Sequence, residues 1–406
     1  MNRVFEWFNN VFRVWRRECY LVLHDGGVML FFFALPLLYP IVYTLIYNPE
    51  IVEKMPVAVV DNCRSAESRQ LVRMADGTQA IDVAGYAADM QEARRWMNEH
   101  KVVAVMEIPE NYSDKQNSGS QATVQFYCDM SLLLRYRTFL MTLTQLQLAA
   151  GAQIQAATID KAGLLGQTVV GGDNASPLNT QAIMLGDPTQ GFASFVIPGI
   201  LVLIIQQSLI LGVTMLAAGG RSRRRRNLGI DPLAIPASPG ATIVGKLMCY
   251  LMIYIPMLIY TLHFVPLMFS LPHIGHLGDY ILFMLPMLVA SVFMGMSLAV
   301  FVTERESSLA VVVFTSVVFL FLTGLTWPRY AMSGFWTAVG NMVPAVWGVE
   351  GFIRMNSNGS TLAEQQHPYM MLWVLSLVYF VTAYLVERYN SKPLRLQRRA
   401  TADSRA

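Results

Sequence analysis

A single apolar run at residues 28–47 is followed by a long polar interval, residues 48–190, and only then by closely spaced apolar runs down to residue 387. A membrane-spanning helix needs about 20 consecutive apolar residues, and six runs qualify: 28–47, 192–218, 243–270, 280–302, 308–326 and 369–387. Lipid offers the backbone no hydrogen-bond partners, so only helices and closed barrels span it. Charged residues make up 14% of the chain and hydrophobic ones 54%, against about 25% charged in an ordinary soluble domain. The expected class is therefore a mainly α membrane protein with six transmembrane helices. One folded domain, 48–190, hangs between the first two spans. The first run starts too late and is too long for a cleavable signal peptide.

The net charge of +3 is small, but its distribution is not. Arg3, Arg13, Arg16 and Arg17 precede the first span, and Arg221, Arg223, Arg224, Arg225 and Arg226 follow the second. Lys392, Arg395, Arg398 and Arg399 follow the last, whereas the loop from Leu271 to Asp279 holds no Lys or Arg. The positive-inside rule then places both termini, the 219–242 loop and the basic tail 388–406 in the cytoplasm, and the polar domain outside it. Residues 333–353 are apolar enough for a seventh span, but a seventh crossing would send the basic tail outside. Gly334, Gly340, Pro344, Gly348 and Glu350 also suit a lipid-facing helix badly. A broken, re-entrant hairpin over 328–355, packed against protein, is the better expectation.

Residues 2–17 divide cleanly at 100° per residue. Val4, Phe5, Trp7, Phe8, Val11, Phe12, Val14 and Trp15 fall on one side of the wheel, the arginines and asparagines on the other. This predicts an amphipathic helix lying in the interface, its arginines toward lipid phosphates. Asp25, Gly26 and Gly27 supply a bend into the first span. The polar interval alternates strand and helix signals. Strands are expected at 56–61, 102–108 and 121–127, helices at 65–74 and 89–99, and a long helical stretch at 131–170. The domain is α/β with no catalytic constellation, and 171–190, rich in Gly, Asn and Pro, is a linker.

Cys19 and Cys249 lie at or in the membrane and read as apolar fillers. Cys63 and Cys128 each fall near the end of an external strand; an oxidising compartment permits a disulfide between them without requiring one. Gly240 to Lys246 reads G-A-T-I-V-G-K, most of a phosphate-binding loop. Such a loop needs a preceding strand and a Ser or Thr after the lysine, and Leu247 stands there instead, so Lys246 reads as a snorkelling interfacial lysine. The arginine run anchors topology against anionic lipid rather than binding nucleic acid. Gln206, Gln207 and His263 lie inside spans, either hydrogen-bonding between helices or lining a path. No His, Cys or carboxylate cluster has metal-ligand spacing, and no bound cofactor is expected.

Read in order, several segments resemble the permease subunits of ABC-2 type exporters, in the branch with a large domain after the first span. P-V-A-V-V-D at 56–61, V-A-V-M-E-I-P-E-N-Y-S at 103–113 and V-Q-F-Y-C-D at 124–129 look like that domain. S-P-G-A-T-I-V-G-K at 238–246 is similar to the opening of the family's third span. L-T-G-L-T-W-P at 322–328, then N-M-V-P-A-V-W at 341–347, look like its fifth span and the broken helices that follow. Where the family often carries an acidic stretch after the second span, this chain has arginines ending in N-L-G-I-D-P at 227–232.

The resemblance implies a non-enzymatic permease in a bacterial inner membrane, exporting substrate with a separate ATPase subunit that holds the ATP and magnesium. It also implies a second permease subunit, identical or not. The expected coupling surface comprises Arg13, Arg16, Arg17, Arg223, Arg224, Arg225, Arg226, Glu304 and Arg305. The expected path runs past Gln206, Gln207, Pro344 and Glu350. A periplasmic adaptor and outer-membrane channel are further expected partners. The competing class is a non-transporting envelope sensor or assembly scaffold, and the short cytoplasmic loops argue against signalling.

Overall fold

The computed structural model describes residues 2–47, 53–118, 120–129, 133–161, 192–227 and 231–403; the linker at 171–190 lies outside them. The chain divides into two compact units, Met1–Asn48 with Met184–Ala406, and Pro49–Ile183. Helix α1 (Asn2–His24) continues past the expected end because Glu18, Leu21 and Val22 all occupy buried positions. Asp25 then turns the chain in an extended conformation, and its carboxylate accepts from the Val28 amide at 3.4 Å, capping α2 (Gly26–Tyr47). Pro40 inside α2 has no N–H to give the Pro36 carbonyl. Thr261 donates to that oxygen instead, at 3.4 Å.

The second unit is built on a four-stranded sheet ordered β2-β1-β3-β4. Strands β1 (Met55–Asp61), β2 (Ile81–Tyr86) and β3 (Ala104–Ile108) run parallel, and β4 (Gln125–Cys128) is antiparallel to β3. Central β1 is buried on both faces: Met55, Val57 and Val59 meet one apolar cluster, Ala58 and Val60 the other. That is why its sequence is an unbroken apolar run. Helices α3 (Ala66–Asp76) and α6 (Leu133–Lys161) cover the first face, and α4 (Met90–Asn98) the second. Asp61 ends β1 by accepting from the Cys63 and Arg64 amides, at 3.1 and 2.9 Å. A Ser65–Ser68 capping box then starts α3. A short helix α5 (Tyr112–Asn117) follows β3. The long helix expected to residue 170 is described as far as Lys161.

In the first unit, α7 (Phe192–Arg226) is the central helix, with α8 (Pro239–Met268), α9 (Leu277–Leu298) and α10 (Arg305–Leu322) packed around it. The described residues form six helices long and apolar enough to cross a membrane, as the six runs predict. Helices gain little from the hydrophobic effect in lipid and rely on close van der Waals approach at small residues. Gly212 on α7 leaves the space that the buried Phe32 ring fills. Gly245 on α8 does the same for α1: a Cβ there would sit 2.8 Å from the Val11 carbonyl oxygen.

Helices α11 (Gly334–Asn341) and α12 (Pro344–Asn358) replace any continuous helix over 333–353. Pro344 opens α12, where its missing N–H costs nothing. Eight and fifteen residues give helices of about 12 and 22 Å, both short of a hydrocarbon core about 30 Å thick. The last helix, α13 (Gln366–Asp403), packs on α9 and α12.

Candidate functional site

The arginines that pattern the sequence converge at one end of the first unit. Asp231, 6% exposed, accepts from Arg17 at 3.1 Å and from Arg223 at 3.1 Å, so it ties α1 to the end of α7. Its Oδ1 also accepts from the Leu233 amide at 3.1 Å, which fixes the carboxylate in the loop. Arg305, at the start of α10, pairs with Asp25 at the α1–α2 bend. Arg221 donates to the Ala299 and Val302 carbonyls at the end of α9. Arg225 and Glu304 lie 3.9 Å apart, both exposed, and such a pair contributes little. Glu18 is buried and accepts from the Tyr250 hydroxyl, holding α1 against α8 a second way.

Of the expected coupling residues, the structure thus joins Arg17, Arg223, Arg225, Glu304 and Arg305. Arg224 lies beside them, donating to the Asn390 carbonyl at 3.4 Å. Arg13, Arg16 and Arg226 are exposed and make no ion pair among the described residues. The apolar face of α1 divides in two: Val11 and Val14 are buried, while Phe5 is 77% exposed and Phe8 and Phe12 lie open beside it. Lys246 pairs with Glu387 at 3.5 Å rather than extending freely. Asp231 and Asp25 are the acidic anchors that local sequence reading missed. The only available signal was a lone acid just after a basic run, in N-L-G-I-D-P.

Deeper in the bundle, Gln206 is wholly buried and accepts from the Ser291 hydroxyl at 3.4 Å across the α7–α9 contact. Its Nε2, and both amide atoms of Gln207, are buried with no hydrogen-bond partner among the described residues. Tyr254 donates to Ser208 at 3.0 Å. The interior is therefore polar at one level of α7, toward more than one neighbour, and only partly satisfied.

The opposite end holds the other charged group. Arg329 donates to Glu350 and to the Asn341 side chain, and its guanidinium lies 4.7 Å from the centre of the Trp347 ring. Arg354 pairs with Glu350 at 2.9 Å, one helical turn away. Glu350 is thus bound on two sides, and Pro344 is buried. Nearby, His263 Nδ1 lies 2.7 Å from His273 Nε2, and His273 Nδ1 lies 2.8 Å from the Asn356 side-chain oxygen. Burial of the His273 ring pushes its pKa down, partly opposed by the bond to Asn356.

In the second unit, Cys63 and Cys128 are both free thiols, so the bridge is not formed. The register gives the reason. Cys128 pairs with Ala104 at the start of β3, while Cys63 lies beyond Asp61, which pairs with Ile108 at its end. Four residues of strand put them about 13 Å apart along β3 alone, beyond the roughly 7 Å a disulfide spans between Cα atoms. A hydrogen bond from Ser65 draws the Cys63 pKa down, and burial pushes that of Cys128 up. The other two sulfurs, Cys19 and Cys249, sit 3.1 Å apart across the α1–α8 contact.

The sequence pattern of the family described as ABC-2 family transporter protein matches residues 27–385. A comparison with curated proteins finds no match. The family match runs from α2 into α13, reaching into every candidate span and covering the α11–α12 pair. With six helices able to cross a membrane and a family match over most of its length, the chain belongs to the ABC-2 transporter family and is a multi-pass membrane permease.

Proposed function

We propose that this permease is the membrane subunit of an ATP-driven exporter, working with a second permease subunit and two copies of a separate ATPase that carries the ATP and magnesium. The observation that supports this most is the basic end. There an interfacial helix, the end of the central helix and the loop after it, and the turn before α10 are joined through Asp231, Asp25 and Arg221. A force applied to α1 or to the 231–238 loop would pass into α7, α8 and α10 together, because Arg17–Asp231, Glu18–Tyr250, Arg305–Asp25 and Arg221–Ala299 tie elements far apart in sequence. Coupling needs linked elements at the point where the partner acts, and these contacts link them. The arginine placement favours a cytoplasmic position for this end, in a bacterial inner membrane, with the α/β domain outside as the candidate contact for an adaptor and channel.

Substrate would move past the polar level of α7, where Gln206 and Gln207 lie, and leave past Pro344 and Glu350. The test is co-purification with the candidate ATPase and measurement of ATP hydrolysis. The expected result is a stable complex whose hydrolysis is stimulated by this chain. A chain that neither binds nor stimulates that ATPase overturns the reading. Cysteines placed at 115–120 should be labelled from outside intact cells and those at 223–226 should not; the reverse pattern overturns the orientation.

A further inference from the structure

A cavity of about 400 Å³ opens among α1, the end of α7, the 231–238 loop, the start of α8 and the end of α13. Its volume falls within the roughly 300–1,000 Å³ of small-molecule sites. Five cations line it, Arg17, Arg221, Arg223, Arg224 and Lys246, against three carboxylates, Glu18, Asp231 and Glu387. Every carboxylate is already engaged: Asp231 by Arg17 and Arg223, Glu387 by Lys246, Glu18 by Tyr250. Arg221 and Arg224 hydrogen-bond to backbone carbonyls and form no direct ion pair with a carboxylate among the described residues, though Glu387, already held by Lys246, lies near enough to Arg221 to act on its charge. The Nε of Arg17 is buried with no acceptor among the described residues. Like charges held together in a partly desolvated site are unfavourable unless an anion joins them.

The lining also has an apolar wall, made by Leu21, Val213, Leu216, Met296 and Ala383 with the ring of Tyr250. On α1, α7, α8 and α13 these residues stand one or two helical turns from Arg17, Arg221, Lys246 and Glu387. A small hydrophilic anion would waste that wall, whereas an amphiphile uses both sides. Guanidinium groups bind phosphate oxygens through paired N–H donors.

We propose that this cavity is a binding site for a phosphate ester, the headgroup of an anionic phospholipid whose glycerol and first methylenes lie along the apolar wall. The proposal rests on the reading that this end of the bundle lies at the membrane surface. A lipid bound here would touch α1, α7, α8 and α13 together, and so would set how firmly α1 is held.

The test uses the purified full-length chain in detergent, without the ATPase, so its failure leaves the transport reading untouched. The probes are short-chain phosphatidylglycerol, phosphatidylcholine of the same chain length, and inorganic phosphate. Bound lipid is counted by native mass spectrometry, and protection is followed by thermal unfolding. One phosphatidylglycerol per chain, retained at least tenfold over phosphatidylcholine, is expected. Arg224→Gln should lower that retention about tenfold, Arg224→Lys should recover part of it, and Arg354→Gln, at the opposite end of the bundle, should leave it unchanged. Phosphate alone protecting as well as phosphatidylglycerol would support the phosphate site but assign it to a soluble ester. Equal retention of the two lipids with no effect of phosphate would overturn the proposal from the wild-type chain alone, whether or not a variant folds. A folded Arg224→Gln chain with undiminished preference would overturn it too.

Discussion

The two ends of the transmembrane unit both place acids among arginines, but they connect different distances of chain. At the basic end Arg17 and Asp231 are 214 residues apart and Arg305 and Asp25 are 280 apart. At the other, Arg329 and Glu350 are 21 apart, and Arg354 meets Glu350 within one helical turn. The long connections tie separate helices into one body. The short ones stabilise a local corner, the α11–α12 pair and the segment leading into it. Removing an acid at the basic end should therefore loosen several helices, and at the opposite end only one corner.

The largest effect is expected from Asp231→Asn. It leaves Arg17 and Arg223 facing each other in a site only partly open to water. Breaking a buried pair by removing one partner costs about 3–5 kcal/mol; the partial exposure of both arginines brings the expectation to about 3 kcal/mol. Thermal unfolding of the purified chain measures it, and an unchanged midpoint would show that the pairs do not hold the end together. Gly245→Leu comes next, at about 1–3 kcal/mol for overpacking, because its side chain meets the Val11 backbone. The readout is oxidative cross-linking of Cys19 with Cys249, whose sulfurs are 3.1 Å apart, followed by peptide mapping. The variant should cross-link less than wild type.

At the opposite end, Glu350→Gln should cost about 1–2 kcal/mol, as charge-assisted hydrogen bonds are lost while Arg329 keeps Asn341 and Trp347. Arg354→Gln should cost about 0.5 kcal/mol or less, since that arginine is half exposed. If Glu350→Gln destabilises more than Asp231→Asn, the contrast between the ends is wrong. A pH titration sharpens it further. His273 has a folded pKa below its usual 6.5, so the unfolded chain binds the proton more readily. Its contribution is fully present above pH 6.5 and is lost as pH falls through the folded value. Wild type should lose stability there, and His273→Gln should show a smaller loss between pH 6.5 and 5.

Much of this was legible in the sequence because lipid and periodicity leave few options. The six spans follow from unbroken apolar runs, α1 from the split wheel of residues 2–17, and the break before α12 from Pro344. Strand β1 was visible because it is buried on both faces. Strand β2 was not. It is an edge strand whose Asp82 and Gly85 interrupt the pattern, and its register slips opposite Val57 and Ala58, so neither run nor alternation survives. The partners of Arg17 and Arg305 were illegible for another reason: a local window holds no information about which acid, hundreds of residues away, the fold returns to a given arginine.

That separation also has a consequence for how the protein is made. Arg17 emerges from the ribosome 214 residues before Asp231, and at about 5–20 residues per second the delay is roughly 10–40 s. Glu18 waits longer still for the Tyr250 hydroxyl. Throughout that time α1 has no helix bundle to dock on. Its exposed face of Phe5, Phe8 and Phe12 suits a bilayer surface, and an α1 resting there would wait, held by its own aromatic rings, until the rest of the chain arrives to claim its other side.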